Sequence, residues 1–196
     1  MTRHAVAETD PAIVFELNGA RVATKASPAS RLSETLREDL GCRDVKVGCN
    51  AGDCGACTVL LDGAPVCACL TATGQAAARR VETLAGLVAG DADTGRLMRS
   101  FARHGAAQCG ICTPGMLVSA TALLRRTPQP DADAVDAALG GVRCRCTGYR
   151  KIIDAVLDAD APPPEPGFDA GHVGAAVQRL DAARKLDGSE SFGDDV

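Results

Sequence analysis

The stretch Gly48-Cys-Asn-Ala-Gly-Asp-Cys-Gly-Ala-Cys-Thr-Val59 decides the fold of the first half of the chain, because it puts three cysteines into one glycine-rich loop. These cysteines have the spacing C-x4-C-x2-C, which with a more distant fourth cysteine is typical of a plant-type [2Fe–2S] cluster. Such a cluster needs backbone N–H groups close to its sulfurs. Residues without side chains permit that approach, and the loop supplies three: Gly48, Gly52 and Gly55.

The fourth ligand of this cluster is open on spacing alone. Cys67 and Cys69 both lie downstream, and on a strand they would share one face because side chains alternate. Structural zinc is also bound by four cysteines, but zinc sites usually use two short-spaced pairs, which this loop lacks. The loop therefore favours iron over zinc.

A second group of cysteines lies in the other half of the chain. Cys109 and Cys112 form a C-x2-C pair, and Cys144 and Cys146 form a C-x-C pair. Each pair lies beside a predicted helix start, where free N–H groups and the positive end of the helix dipole suit a negatively charged cluster. By spacing alone zinc is a closer alternative here. The neighbouring plant-type motif favours a second [2Fe–2S] cluster, since two clusters in one chain can pass electrons.

The first cysteine loop is surrounded by a predicted small α+β domain over residues 11–86. Strands are expected over 13–17, 21–24, 58–61, 64–68 and 81–84, with tight turns at Asn18-Gly19 and Asp62-Gly63. A helix is expected over 30–40, where leucines recur every four residues. Its predicted cap is Ser30 or Ser33 and its predicted end is Gly41.

The second half is predicted to be a four-helix domain over residues 87–160. Helices are expected over 94–103, 114–126, 133–139 and 149–157. Thr113 precedes Pro114 as a capping hydroxyl, and Gly140-Gly141 ends the third helix. Residues 161–196 form an extended tail: a stiff proline-rich linker at 161–167, followed by at most one amphipathic helix around 175–184.

Composition narrows the function. The net charge is −4 with scattered Lys and Arg, which is not the basic face of a nucleic-acid binder. The first ten residues lack an apolar signal segment and no apolar run spans a bilayer, so we expect a cytoplasmic chain with reduced thiols and no membrane insertion. The three histidines have no metalloprotease spacing and no nucleophile signature is present, so no catalytic residue is predicted. His104 is interpreted as a loop residue and Cys42 as a small buried apolar residue.

Four motifs in order resemble the iron–sulfur subunit of the xanthine dehydrogenase and aldehyde oxidase family of molybdenum hydroxylases. They are the stretch 48–59, Cys69-Leu70, Gln108-Cys-Gly-Ile-Cys-Thr-Pro-Gly-Met116 and Cys144-Arg-Cys-Thr-Gly-Tyr149. The resemblance implies a ferredoxin-like β-grasp domain followed by a four-helix-bundle domain. It also selects Cys69 over Cys67, because a leucine follows Cys69 and its distance from Cys57 fits the family.

The resemblance further implies a role as an electron-transfer subunit without catalytic residues of its own. Cys49, Cys54, Cys57 and Cys69 would bind one [2Fe–2S] cluster, and Cys109, Cys112, Cys144 and Cys146 the other. Gln108 and Cys146 match positions that contact the molybdopterin held by a large subunit. Electrons from water-derived hydroxylation of an aldehyde or N-heterocycle would pass through both clusters to a flavin, held as FAD by a separate medium subunit, or to another acceptor.

The tail resembles the opening of the molybdenum-binding large subunit of this family. The matching positions, in order, are Gly174, Arg179, Asp181, Lys185, Gly188, Phe192 and Asp195. We therefore expect the boundary between subunits to have moved downstream and the tail to pack on the large subunit. Two other functions stay open at this point: a free-standing two-cluster ferredoxin, and a zinc-bound interaction module.

Overall fold

A computed structural model describes residues 12–162 and 179–195 of the chain. Most of the predicted proline-rich linker, Gly174 and the start of the predicted tail helix lie outside these residues. Within them every helix is too short or too polar to cross a lipid bilayer.

Five short strands form one mixed sheet in the order β2-β1-β5-β3-β4. They are β1 (Ile13–Leu17), β2 (Ala20–Thr24), β3 (Thr58–Leu61), β4 (Ala64–Cys67) and β5 (Arg80–Glu82). β1 and β5 run parallel, and the other neighbours are antiparallel. Both predicted turns are confirmed, with positive φ at Asn18-Gly19 and at Asp62-Gly63. β5 is shorter than the predicted 81–84, because the side chain of Asn18 accepts a hydrogen bond from the backbone N–H of Thr83 and the chain turns there.

The predicted helix over 30–40 is present but differs in form. Helix α1 (Leu32–Glu34) widens at once into a π-helical stretch, Thr35–Asp39. Neither predicted serine caps it: Arg31 occupies the cap position, and the backbone N–H of Ser33 instead donates to the carbonyl of Ala68. Gly41 ends the helical stretch, as predicted, with a φ of 71°.

The helical half contains one helix more than predicted. It comprises α2 (Leu84–Gly90), α3 (Ala92–His104), α4 (Thr113–Arg126), α5 (Ala132–Leu139) and α6 (Arg150–Leu157). α2 is too short to show a helical period, but Leu84 and Leu87 bury its inner face. Asp91 then caps α3 by accepting from the N–H of Thr94, so that α3 begins earlier than expected.

Three smaller expectations for the helical half had different outcomes. His104 is the last residue of α3, not a loop residue, and its ring lies 2.9 Å from a carboxylate oxygen of Asp158. Thr113 lies inside α4, whose cap position is Cys112, so the predicted hydroxyl cap is wrong. The helix end at Gly140 is confirmed.

Strand β3 joins the two halves because both of its faces are buried. Val59 and Leu61 face the apolar cluster formed by α1 and the sheet, whereas Leu60 faces the cluster of the helical half. Helix α4 packs against this second face. The start of α4 is therefore fixed relative to the strand that follows Cys57.

Candidate metal centres

The first cysteine group is assembled by the loop before β3 and the turn after β4. Antiparallel pairing of these strands brings Cys69 beside Cys57, and the backbone N–H of Cys69 lies 3.4 Å from the Cys57 sulfur. In the loop, the N–H groups of Ala51 and Cys54 donate to the Cys49 sulfur at 3.4 and 3.3 Å. The Cys49 thiol lies beside that of Cys54 and the Cys57 thiol beside that of Cys69, because each affects the pKa of its neighbour.

The geometry favours Cys69 over Cys67 as the fourth residue of this group. Strand β4 ends at Cys67, so Cys69 lies beyond it in the turn and is only 3% exposed. Cys67 is only partly buried. Burial raises the pKa of Cys67, and the charges of Cys69, Cys54 and Cys49 add to that effect, so Cys67 lies beside the group. Cys42 packs against the apolar cluster of the sheet and is only partly buried, although it was predicted to be a buried small apolar residue.

The second group is assembled by the starts of two helices. Cys112 caps α4, and Tyr149, three residues after Cys146, caps α6. The Cys112 thiol lies beside that of Cys144 and the Cys146 thiol beside that of Cys109, because each affects the pKa of its neighbour. The eight cysteines predicted to be ligands thus lie at two places in the fold, the loop before β3 with the turn after β4 and the starts of α4 and α6, and their role as ligands stays a prediction.

Two residues that sequence reasoning passed over shape the second group. The hydroxyl of Tyr149 accepts from the N–H of Cys144 at 3.0 Å and donates to the carbonyl of Val142. The hydroxyl of Thr147 lies 3.1 Å from the Cys144 sulfur and also accepts from the N–H of Tyr149. The signal for Tyr149 was present, since it is the only tyrosine of the chain and follows the C-x-C pair closely.

The two-by-two pairing of the thiols fits binuclear iron better than a single zinc ion. A zinc site brings all of its ligands around one ion. A [2Fe–2S] cluster instead has two irons, each with two terminal thiolates, and each group offers two such pairs together with N–H donors aimed at sulfur.

The protonation of the thiols follows their exposure. Hydrogen bonds from the N–H groups of Ala51 and Cys54 lower the pKa of exposed Cys49 to about 7. Burial raises the pKa of Cys57 to about 12 and raises that of Cys112 as well. Burial also acts to raise the pKa of Cys144, but hydrogen bonds from Thr147 outweigh it and the pKa is lowered. The buried thiols would lose their protons more readily beside a bound metal ion, whose positive charge stabilises a thiolate.

The two cysteine loops interlock through backbone atoms. The carbonyl of Cys54 accepts a 2.8 Å hydrogen bond from the N–H of Arg143, the residue before Cys144. Gly55 has a φ of 65°, and a Cβ there would overlap the carbonyl oxygen of Gly141. A Cβ on Gly115, near the start of α4, would overlap the carbonyl oxygen of Gly55. Glycine at these positions permits the contact.

The two residues predicted to contact a pterin lie at the surface beside the second group. Gln108 and its neighbour Cys109 are exposed, and so is Cys146, whose thiol pairs with that of Cys109. They form one accessible face of the group, whereas Cys112 on the other side is buried.

Comparison with known proteins defines the class of this chain. Residues 15–85 match the 2Fe-2S iron-sulfur cluster binding domain, and residues 83–157 match the [2Fe-2S] binding domain. The chain is thus an iron–sulfur protein with both cluster-binding domain types. It is 45% identical over 147 residues to the nicotine 6-hydroxylase small subunit of Paenarthrobacter nicotinovorans, covering 75% of this chain and 88% of that subunit.

Two further relatives give the particular family. The xanthine dehydrogenase iron-sulfur-binding subunit of Escherichia coli O157:H7 is 39% identical, with 74% of this chain and 91% of that subunit covered. The crystal structure of the aldehyde oxidoreductase from Desulfovibrio desulfuricans superimposes with a TM-score of 0.86 at 36% identity, covering 94% of this chain and 22% of that one. The chain belongs to the xanthine dehydrogenase family. It is a non-catalytic iron–sulfur subunit of an oxidoreductase.

Proposed function

We propose that this chain relays electrons one at a time between a molybdopterin centre and an acceptor, through two [2Fe–2S] clusters. The domain over 11–86 would hold one cluster on Cys49, Cys54, Cys57 and Cys69. The domain over 87–160 would hold the other on Cys109, Cys112, Cys144 and Cys146. The observation that carries this proposal is that residues 15–85 and 83–157 match two different [2Fe-2S] binding domains, each of which contains one of the two cysteine groups.

The contact between the loops supports a direct route from the second cluster to the first. Only the backbone of Arg143 and one hydrogen bond separate Cys144 from the carbonyl of Cys54. Electrons would leave the second cluster through Cys144 and reach the first through Cys54. The path between the two clusters would thus run through backbone atoms, which close packing of the two loops holds in place.

The exposed face of the second group supports contact with a molybdenum-binding large subunit. Gln108 and Cys146 are accessible there, and a partner could bring its pterin against both. The relatives include a hydroxylase of nicotine, a dehydrogenase of xanthine and an oxidoreductase of aldehydes. We infer an aldehyde or an N-heterocycle as the substrate class, with oxygen derived from water. The acceptor beyond the first cluster would be FAD in a medium subunit, or another carrier.

The decisive experiment combines metal analysis with two serine variants. Two irons and two acid-labile sulfides per cluster, with visible colour, are expected for the full-length chain purified without oxygen. In the complex with its large subunit, Cys112→Ser should block electron flow from substrate to both clusters. Cys54→Ser should leave the second cluster reducible by substrate but slow passage to the acceptor.

The control is Cys42→Ser, which removes a cysteine outside both groups and should leave iron content and reduction unchanged. A colourless, zinc-loaded chain would overturn the proposal. Full electron transfer by the isolated chain, without any large subunit, would favour a free-standing ferredoxin instead.

A further inference from the structure

The described part of the C-terminal tail, residues 179–195, lies against the chain's own two halves. We call this segment the C-terminal strap. It contains the short helix α7 (Ala182–Leu186) and a 3-10 turn, Gly193–Asp195. Leu186 is 3% exposed and packs into the apolar cluster of the helical half. Within the chain these residues pack on both halves, and the predicted contact of the tail with a large subunit stays a prediction.

One end of the strap holds the backbone that leads into the second cysteine group. The guanidinium of Arg179 donates to the carbonyls of Ala107 and Gln108, at 3.3 and 3.1 Å. These are the two residues before Cys109. Arg179 is itself oriented by a two-point ion pair with Asp181, at 2.9 and 3.0 Å.

Lys185 contacts the turn between Cys109 and Cys112. Its side-chain stem lies over Gly110, where a Cβ would come within 2.8 Å of the Lys185 Cγ, and Gly110 has a φ of 97°. Lys185 is only 9% exposed, and its ammonium group pairs with Asp181. The aliphatic part of Lys185 therefore covers the turn. Its ammonium group is held by Asp181, the same carboxylate that orients Arg179.

The other end of the strap holds the approach to the first cysteine group. The carboxylate of Asp195 pairs with Lys46 at 3.0 Å and with Arg37 at 2.9 Å. Lys46 is 2% exposed, lies three residues before Cys49, and also donates to the carbonyl of Glu190 at 2.6 Å. Phe192 covers the Lys46 ammonium, with the ring centroid 5.2 Å away.

We propose that the C-terminal strap positions both cysteine loops, with Arg179 and Lys185 as positioning residues for the second cluster and Asp195 for the first. A cluster potential depends on the charges and N–H groups around its sulfurs, so residues that fix these loops set it. This inference rests on the proposed function for the presence of the clusters, and goes beyond it in giving the strap a role in tuning them.

The test compares Arg179→Ala with Arg179→Lys in the full-length, iron-loaded chain. Potentials and EPR line shapes of both clusters are recorded, with the signals assigned by Cys54→Ser and Cys112→Ser. Arg179→Ala should lower the potential and alter the EPR line shape of the second cluster only, because a positive charge and two hydrogen bonds are lost. Arg179→Lys keeps the charge but loses the planar fork that pairs with both oxygens of Asp181 and so orients the nitrogen that donates to the two carbonyls; it should restore the potential in part and leave the altered line shape.

The matched control is Arg184→Ala, which removes the same charge from α7 at a side chain that is 69% exposed. It should change neither signal. Asp195→Asn should alter the first cluster's signal and leave the second. Unchanged spectra in Arg179→Ala, full restoration by lysine, or an equal effect of Arg184→Ala would each overturn the positioning role. If the unmodified chain contains no clusters, the proposed function fails; if clusters are present and the strap variants are silent, only this inference fails.

Discussion

At the scale of single residues, Cys67 and Cys69 differ in burial and in position relative to Cys57. The backbone N–H of Cys69 lies 3.4 Å from the Cys57 sulfur and Cys69 is 3% exposed, whereas Cys67 is the last residue of β4 and is only partly buried. Cys69→Ala should therefore lose the first cluster, and the iron content of the chain should fall by half. Iron analysis and EPR measure this loss.

The matched variant for this prediction is Cys67→Ala, which removes the same group two residues away. It should keep both clusters, with at most a changed line shape for the first. Loss of iron in Cys67→Ala and its retention in Cys69→Ala would reverse the assignment.

A second prediction at this scale concerns Asp195, whose side chain is 4% exposed. Asp195→Asn leaves Lys46 and Arg37 without their carboxylate, and breaking a buried ion pair of this kind costs roughly 3–5 kcal/mol. The free energy of unfolding, measured by denaturant titration at pH 7, should fall by about that amount. Asp154→Asn is the control: its carboxylate is 45% exposed and pairs with Arg150 at 3.6 Å, so its cost should stay below about 1 kcal/mol.

The same ion pairs predict how stability depends on pH. Burial works against the charged form of Asp195, but the N–H of Phe192, Lys46 and Arg37 outweigh it and lower its pKa to about 2. A carboxylate with a lowered pKa stabilises the fold fully above its unfolded pKa of about 3.9, and this contribution is lost as the pH falls towards 2. The stability gap between the unmodified chain and Asp195→Asn should therefore be constant above pH 5 and shrink below pH 4. A gap that widened in acid would contradict this assignment.

At the scale of elements, Gly55 carries the contact between the two cysteine loops. Gly55→Ala places a Cβ against the Gly141 carbonyl and also forces an alanine to a φ of 65°. The expected result is a loss of stability well above the 1–2 kcal/mol of the unfavourable φ, with slower electron transfer between the clusters. Denaturant titration and rapid-mixing kinetics measure these two effects.

The variant Gly41→Ala separates the cost of a positive φ from the cost of steric overlap. Gly41 has a similar φ of 71°, but a Cβ there meets nothing within 4 Å. Gly41→Ala should lower the free energy of unfolding only by the cost of the positive φ. It should leave the rate of electron transfer between the clusters unchanged. Equal effects of the two alanines would show that the loop contact has no role.

The elements also show how far sequence reasoning reaches. The two hairpins and the cysteine loops were predictable because local chemistry fixes them: a residue pair that accepts positive φ, or thiols at set spacings. Helix α2 was not, because its burial depends on α4 and its seven residues show no period. The π-helical stretch could not be predicted either, because the i to i+5 hydrogen bond from the Leu40 N–H to the Thr35 carbonyl leaves no signal in the sequence. The grouping of the eight thiols into two ligand sets stays a prediction, whereas their positions in the fold depend on where β4 ends and where α4 and α6 begin, which the spacing of the cysteines does not give.

At the scale of the whole molecule, iron should stabilise both halves together. The first group joins the loop to the β3–β4 hairpin, and the second joins the starts of α4 and α6. Removing iron with a chelator should lower the thermal unfolding midpoint and leave buried Cys57 and Cys112 protonated. Calorimetry before and after chelation measures the effect, and an unchanged midpoint would count against structural coupling.

Reloading of iron should depend on pH in a definite direction. Because burial raises the pKa of Cys57 to about 12, binding iron must release its proton. Reconstitution should therefore be tighter at pH 8.5 than at pH 6.5 and should acidify a weakly buffered solution. Proton release can be followed with an indicator dye, and a pH-independent affinity would contradict it.

The burial of β3 on both faces has a consequence for oxidative damage. Leu60 on one side and Val59 with Leu61 on the other seal two interiors with a single four-residue strand. Both cysteine groups have an exposed side, at Cys49 and at Cys109 with Cys146, so the strand protects only the sides that contain buried Cys57 and Cys112. If the strand loosens, oxygen and water would reach these two buried sides at the same moment. Inactivation by air should then bleach the two centres in parallel instead of one after the other.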